Sequence, residues 1–210
     1  MSEQLTIVTH PLVQHRLALL RDKATDTGSF RRLMREIGML LVYEATRDLP
    51  LAAKGIETPM GPMQAPQLAG PAPVLVSILR AGNGLLDGAL EMLPMASAGF
   101  IGLCRDEETL NPVQYYCKLP PALNDRRLIL VDPMLATGNS SAAALDRVKQ
   151  AGGRDIVLAC LLAAPEGVAR MRDAHPDVPV ITAALDERLD ARGFILPGLG
   201  DAGDRLYGTL

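Results

Sequence analysis

Arg127–Ser141 reads R-L-I-L-V-D-P-M-L-A-T-G-N-S-S, and its three parts decide how the rest of the chain is organised. Leu128 to Val131 is a short apolar run rich in Leu, Ile and Val, the pattern of a buried strand. The run ends at Asp132, and a turn of small residues, Ala136 to Ser141, opens an Ala-rich helical segment. Strand, loop and helix start in this order leave several backbone N–H groups free at the positive end of a helix, where they can surround a phosphate. Thr137, Ser140 and Ser141 add hydroxyl donors. Asp132 would repel the phosphate itself, but a carboxylate beside it can accept hydrogen bonds from sugar hydroxyls. The two features together suggest a ribose phosphate. No Gly-Lys-Ser/Thr follows, so this is not a Walker loop, and the glycines do not fit G-x-G-x-x-G. An ordinary helix cap after an ordinary strand is the plainer reading of the same residues.

The same alternation recurs on both sides. Upstream, Val74 to Leu79 is a buried-strand candidate that runs into Arg80-Ala81-Gly82-Asn83-Gly84, with a helix expected over Leu85 to Leu93. Small residues at 81, 82 and 84 let a ligand approach the backbone, and Arg80 offers a planar fork of donors for phosphate oxygens. A tight structural turn would use the same glycines. A third strand is expected over Gly99 to Cys104, leading to Arg105-Asp106-Glu107-Glu108-Thr109. Asn111 to Asn124 then shows no sustained helical pattern and reads either as a mobile flap or as a solvated acidic hairpin. Downstream come a helix over Ser141 to Gln150, a strand over Asp155 to Leu162, a helix over Pro165 to Ala174 and a strand over Pro179 to Ala184. This alternation predicts an α/β protein whose mainly parallel sheet is flanked by helices and binds ligands at the carboxyl ends of its strands.

The N-terminal region reads as a helical arm over about residues 1–54, with apolar positions at Leu33, Met34, Ile37, Leu40 and Leu41 and Ser29 as a candidate cap. Its stripe must cover either the main sheet or another subunit. Gly55 to Pro73 reads as a hairpin or an irregular connection. The 210 residues suit a single domain. A net charge of -3 argues against a broad cationic surface for nucleic acid or anionic lipid. Cys104, Cys117 and Cys160 are odd in number and lack C-x-x-C spacing, which suits reduced thiols, and with no leader or spanning run evident a cytoplasmic protein is expected. His10 and His15 have no third metal ligand nearby. Gly193 to Arg205 is so rich in glycine that it argues against a helix and for backbone that closely approaches a ligand, or for a simple glycine-rich tail.

Four of these stretches carry a family resemblance. V-D-P-M-L-A-T-G, Val131 to Gly138, resembles the loop of type I phosphoribosyltransferases that binds 5-phosphoribosyl 1-diphosphate (PRPP), in the Asp-Pro form of the uracil enzymes. I-L-R-A-G at Ile78 to Gly82 resembles their diphosphate loop, and I-G-L-C-R-D-E-E-T at Ile101 to Thr109 resembles a third segment, with Cys104 where the family has Tyr. P-G-L-G-D-A-G-D-R, Pro197 to Arg205, resembles the base-binding loop of uracil phosphoribosyltransferases nearly residue for residue. The resemblance implies a type I phosphoribosyltransferase-like fold with a flap and hood, and transfer of a phosphoribosyl group from PRPP to uracil.

The resemblance also implies PRPP binding by Arg80, Arg105, Asp132, Pro133, Met134, Leu135, Ala136, Thr137, Gly138, Asn139, Ser140 and Asp201. Catalysis falls to Asp132, Arg105 and Asp201, and uracil recognition to Ile195, Gly200, Asp201 and Ala202, mostly through main chain over about residues 193–205. It implies Mg2+ held chiefly through PRPP and water, a homo-oligomer (dimer or tetramer) and, as in some bacteria, GTP as an allosteric activator. Asn139 stands where the family has Gly, and Asn is expected to keep a left-handed loop conformation there. Two alternatives have other functions: an RNA-binding regulator of the same fold, against which the acidic charge argues, and an enzyme for another nucleobase, against which the C-terminal loop argues.

Overall fold

A strand covered on both faces has no room for charge, and the uncharged apolar runs accordingly become the centre of one sheet. A computed structural model describes residues 4–105 and 112–209, with positions 105 and 112 described in backbone alone. The first half of the chain forms β1 (Leu5–Ile7), α1 (Pro11–Arg21), α2 (Thr27–Ala45), β2 (Leu51–Thr58), β3 (Gly61–Leu68), β4 (Val74–Leu79), α3 (Asn83–Met92) and β5 (Ser97–Arg105). There follow β6 (Pro112–Lys118), β7 (Arg127–Val131), β8 (Met134–Leu135), α4 (Asn139–Gln150), β9 (Asp155–Ala163) and α5 (Pro165–Ala174). The C-terminal part adds β10 (Val180–Leu185), β11 (Arg188–Leu189), β12 (Ile195–Leu196) and α6 (Ala202–Tyr207).

The main sheet has the order β1-β10-β9-β7-β4-β5-β6, and β8 also pairs with β9. Every pairing in it is parallel except β5 with β6. The expected helix-flanked, mainly parallel sheet is therefore present. Side-chain alternation sorts its residues into two cores. Leu75, Ile129, Val157 and Ile181 pack against α1, α2 and α3 through Leu17, Phe30, Ile37 and Leu85. Val76, Leu128, Leu130 and Leu158 pack on the opposite face against Leu145, Val148 and Met171 of α4 and α5.

Several expected boundaries move. The cap of α2 is Asp26, which accepts the Ser29 N–H at 3.0 Å, and Ser29 lies inside the helix with its hydroxyl donating to Asp26 at 2.8 Å. Its apolar stripe covers α3 and the sheet of its own chain. β1, a three-residue edge strand, is too short to show a period in sequence. The expected hairpin is real but longer, β2 pairing with β3 from Leu51↔Leu68 to Thr58↔Gly61. Much of the expected flap is β6, antiparallel to β5, while residues 106–111 lie outside those described. No described helix is long and apolar enough to cross a membrane.

Helices α2 and α3 cross with their backbones in contact. A Cβ on Gly88 would stand 2.0 Å from the Arg35 carbonyl oxygen, and one on Gly38 would stand 2.7 Å from that of Leu85. In an exposed helix Gly→Ala stabilises by about 1 kcal/mol. Here overpacking reverses the sign, and Gly88→Ala should destabilise by about 2–3 kcal/mol. Urea unfolding at matched m-value measures the change; an unchanged or raised midpoint would mean that the helices separate without cost.

Candidate active site

The loop after β7 is fastened to the sheet before it turns. Asp132 donates its N–H to Ala159 O at 3.2 Å, and Pro133 O accepts the Leu161 and Leu162 N–H groups at 3.0 and 3.1 Å. Beyond β8, Gly138 adopts φ +77°, a left-handed position that suits glycine, and α4 begins at the next residue. Helix α5 braces the turn from behind: a Cβ on Gly167 would lie 2.5 Å from the carbonyl oxygens of both Leu135 and Ala136. The N-cap, Gly138, has no side chain to cap α4, and the one side-chain contact, Thr137 Oγ1 accepting the Asn139 N–H, is long at 3.5 Å, which leaves the following first-turn N–H groups for a ligand.

This geometry corrects the expectation for Asn139. The left-handed residue is Gly138, while Asn139 is the first residue of α4, exposed, with helical backbone. The helix thus starts two residues earlier than its apolar pattern suggests, because Asn139 and Ser140 are polar and carry no apolar periodicity.

The loop after β4 sits equally close. A Cβ on Gly82 would lie 2.5 Å from Ile78 O and 2.6 Å from Val131 O, so the turn rests on the ends of two neighbouring strands. The Leu79–Arg80 peptide is cis. Tyr207 of α6 donates its hydroxyl to Arg80 O at 3.0 Å, and the Arg80 guanidinium carbon lies 5.8 Å from the Tyr207 ring centroid. The third loop ends where Asp201 caps α6, accepting the Asp204 N–H at 2.8 Å. Ala202 to Arg205 are therefore helical despite their glycine, since the cap and burial of Ala202 and Leu206 outweigh propensity.

These three loops bound a cleft of 320 Å³ at the carboxyl edge of the sheet. Arg80, Asp132, Pro133, Met134, Ala136, Thr137, Gly138, Ser140 and Asp201 line it. A second cleft of 270 Å³ is lined by Ile195, Gly200, Asp201 and Ala202, and the two share Met134, Ala136, Asp201 and Ala202. Two expected PRPP contacts lie elsewhere. Leu135 is wholly buried, turned into the core by the strand pairing of β8, and Asn139 faces solvent outside both clefts. Arg105 ends β5, and its side chain is outside the described structure. Ser141, expected as a hydroxyl donor, lines the first cleft, and Phe194, within the expected base loop, lines the second; Leu103 in the first and Arg192 in the second were not expected from the sequence. The Arg192 guanidinium lies 5.3 Å from the Phe194 ring centroid, a pairing that the i, i+2 spacing alone does not announce.

Asp132 is the electrostatically costly member. Desolvation pushes its carboxyl up to about 7, partly offset by the Met134 N–H. The same burial, with a smaller effect from Asp132, pushes the Cys160 thiol up to about 12, leaving it a packing residue of β9. For Asp132 the folded pKa exceeds the unfolded one, so the folded state binds the proton more tightly. Its contribution to stability is greatest below about pH 4, falls as pH rises from about 4 to 7, and is fully unfavourable above. Asp132→Asn should therefore raise the stability of the unliganded protein at pH 8 by about 2 kcal/mol, allowing for partial exposure, and by less than half of that at pH 5. Thermal melts of both proteins across this range check the sign; a uniform loss would show that the carboxylate is stabilising. Because Asn139 faces solvent, Asn139→Gly should leave the PRPP dissociation constant within about threefold, roughly 0.7 kcal/mol, by calorimetry.

Residues 7–209 match the sequence model of the family described as Uracil phosphoribosyltransferase. A protein of that name from Paracoccus denitrificans (strain Pd 1222) is 64% identical over 205 residues, covering 98% of this chain and 97% of the relative. The solved structure of the AQ2163 protein from Aquifex aeolicus aligns with a TM-score of 0.92 at 38% identity, covering 97% of each chain. At the level of fold alone, an adenine phosphoribosyl transferase from Trypanosoma brucei aligns with a TM-score of 0.57 at 13% identity, over 87% of this chain and 84% of that one. With its loops gathered at one sheet edge and a family match spanning nearly its whole length, the chain belongs to the uracil phosphoribosyltransferase family and has the type I phosphoribosyltransferase fold.

Proposed function

We infer that the chain transfers the phosphoribosyl group of PRPP to N1 of uracil, giving UMP and diphosphate in pyrimidine salvage. The observation that carries this reading is the wall common to the two clefts, formed by Met134, Ala136, Asp201 and Ala202. Joining a base to a sugar needs two bound molecules with their reacting atoms in contact, and adjoining clefts hold them so.

The start of α4 and the hydroxyls of Thr137 and Ser140 suit the 5-phosphate, and Arg80 suits the diphosphate, with Arg105 assigned to the same group by family resemblance. As the bond from C1 to diphosphate lengthens, the leaving group takes the electron pair and the sugar becomes electron-poor. Asp132 accepts hydrogen bonds from the ribose hydroxyls, which favour its ionised form, and its charge then stabilises the sugar. Uracil N1 bonds to C1 from the second cleft, and its proton passes to water or to the departing diphosphate, which has taken the electron pair of the broken bond.

Among the described residues no three His, Cys, Asp or Glu side chains converge as a metal cage. The cleft carboxylates Asp132 and Asp201 nevertheless fit a Mg2+ held mainly by PRPP oxygens and water. Bound there, the ion would neutralise diphosphate charge. For the base, the N–H groups of Gly200 and Ala202 make no hydrogen bond within the described protein, leaving them for carbonyl oxygens of a ligand. The β2–β3 hairpin exposes Leu51, Met60, Met63 and Leu68, which supports a homo-oligomer.

Purified protein with PRPP, Mg2+ and each nucleobase in turn tests the assignment. Uracil presents acceptor, donor, acceptor, and cytosine reverses two of these positions. Two buried mismatches cost about 2–6 kcal/mol, so kcat/KM should favour uracil by roughly thirtyfold or more. A preference below about tenfold would reopen the identity of the base. Asp132→Asn should also lower kcat about a hundredfold, roughly 3 kcal/mol, and near wild-type turnover would remove Asp132 from the chemistry.

A further inference from the structure

The loop that borders the base cleft is held from behind by two arginines, and what they hold is main chain. Arg205 of α6 donates through Nη1 to Leu199 O at 2.8 Å and through Nη2 to Asp22 O at 2.6 Å. Its guanidinium carbon lies 4.6 Å from the Phe30 ring centroid. Arg21, the last residue of α1, donates through Nη1 to Gly198 O at 2.8 Å. The same guanidinium grips both carboxylate oxygens of Asp186, at 2.5 and 2.7 Å, and Asp186 accepts the Gly198 N–H at 2.9 Å. The carbonyl oxygens of two successive residues are thus bound by cations that line neither cleft.

The consequence follows from peptide geometry. In a trans peptide the C=O and the following N–H point in opposite directions. Holding Leu199 O against Arg205 turns the Gly200 N–H away from that arginine, and Gly200 lines the base cleft. The N–H has no acceptor within the described protein. Gly198 and Gly200, at φ +63° and +82°, flank Leu199, and glycine tolerates either sign of φ, so nothing local fixes these peptide planes. A flip of the Leu199–Gly200 peptide would set a carbonyl where the N–H stands, exchanging an acceptor for a donor.

We propose that Arg205, with Arg21 and Asp186 behind the preceding peptide, is a positioning residue that fixes the donor polarity by which the site separates uracil from cytosine. The proposal rests on the uracil reading above. An N–H held in place suits the O4 carbonyl of uracil and opposes the amine that replaces it in cytosine. Isolated loop glycines would not discriminate in this way. The long-range contacts, from Asp22 to Arg205 and from Arg21 to Asp186 and Gly198, supply the constraint.

The test is kcat/KM for uracil and for cytosine, read as UMP and CMP by chromatography, in wild type, Arg205→Met, Arg205→Lys and Arg21→Lys. Arg205→Met should lower the uracil-to-cytosine ratio at least tenfold, chiefly by raising KM for uracil, while the PRPP dissociation constant stays within twofold by calorimetry. Arg205→Lys, with one ammonium able to reach Leu199 O, should recover part of the ratio. A fall smaller than tenfold, or one matched by an equal loss of PRPP affinity, overturns the proposal, since the latter marks a general role in folding. If Arg205→Met does not fold, Arg21→Lys decides by the same ratio and the same PRPP control. Wild-type protein without a uracil preference would instead overturn the substrate assignment itself.

Discussion

Burial of β4, β7 and β9 on both faces is the constraint from which the rest of the structure follows. Helices α1 to α3 on one side and α4 and α5 on the other leave the middle of these strands dry. A polar group survives there when it is paired, as with buried Ser77 of β4, whose hydroxyl donates to Asn83 Oδ1 at 2.9 Å. Ligand chemistry is therefore displaced to the strand ends, and at the carboxyl edge the first residue past β4 is Arg80 and the first past β7 is Asp132. Parallel pairing brings those two ends side by side, so residues more than fifty positions apart become walls of one cleft.

What the sequence makes legible is whatever depends on contiguous pattern. The apolar runs of β4, β7 and β9 announce themselves, and α5 is bounded correctly at both ends because Pro165 opens it and His175-Pro176 closes it. Features set by distant partners stay hidden. β1 exists because Leu5 to Ile7 find β10. Leu135 faces the core and Met134 the cleft because β8 joins the pleat of β9, an alternation that a loop motif does not reveal. The start of α6 is misjudged when glycine content is weighed above the Asp201 cap, and Arg192 joins the base cleft through a fold-back of β11 and β12.

The phosphate loop differs from its neighbours in how little freedom it retains. Hydrogen bonds from β9 hold Pro133 O and an N–H from Ala164 holds Leu135 O, while α5 presses against the turn at Gly167. Its main chain is ordered before any ligand arrives, so binding does not have to supply that ordering. Arg80 is different: its carbonyl is fixed by Tyr207, yet the side chain is exposed and must be immobilised by what it binds. Rigid main chain at the sugar phosphate and a freer cation at the leaving group suit a site whose charge shifts toward one end as reaction proceeds.

The β2–β3 hairpin stands out from the main sheet with two unpaired edges, the usual starting point for open-ended strand addition. Its sequence answers this hazard at Pro62 and Pro66, which face Glu57 and Ala53 in the ladder. A proline has no N–H to offer, so at these two positions the outer edge of β3 carries no donor for a further strand. Lys54 places a charge on the companion strand. A second molecule meeting this arm would meet side chains on its faces, Leu51, Met63 and Leu68 among them, in place of a free backbone edge. Contact through faces favours assemblies that close on themselves, so the prolines would act as stops against fibre growth.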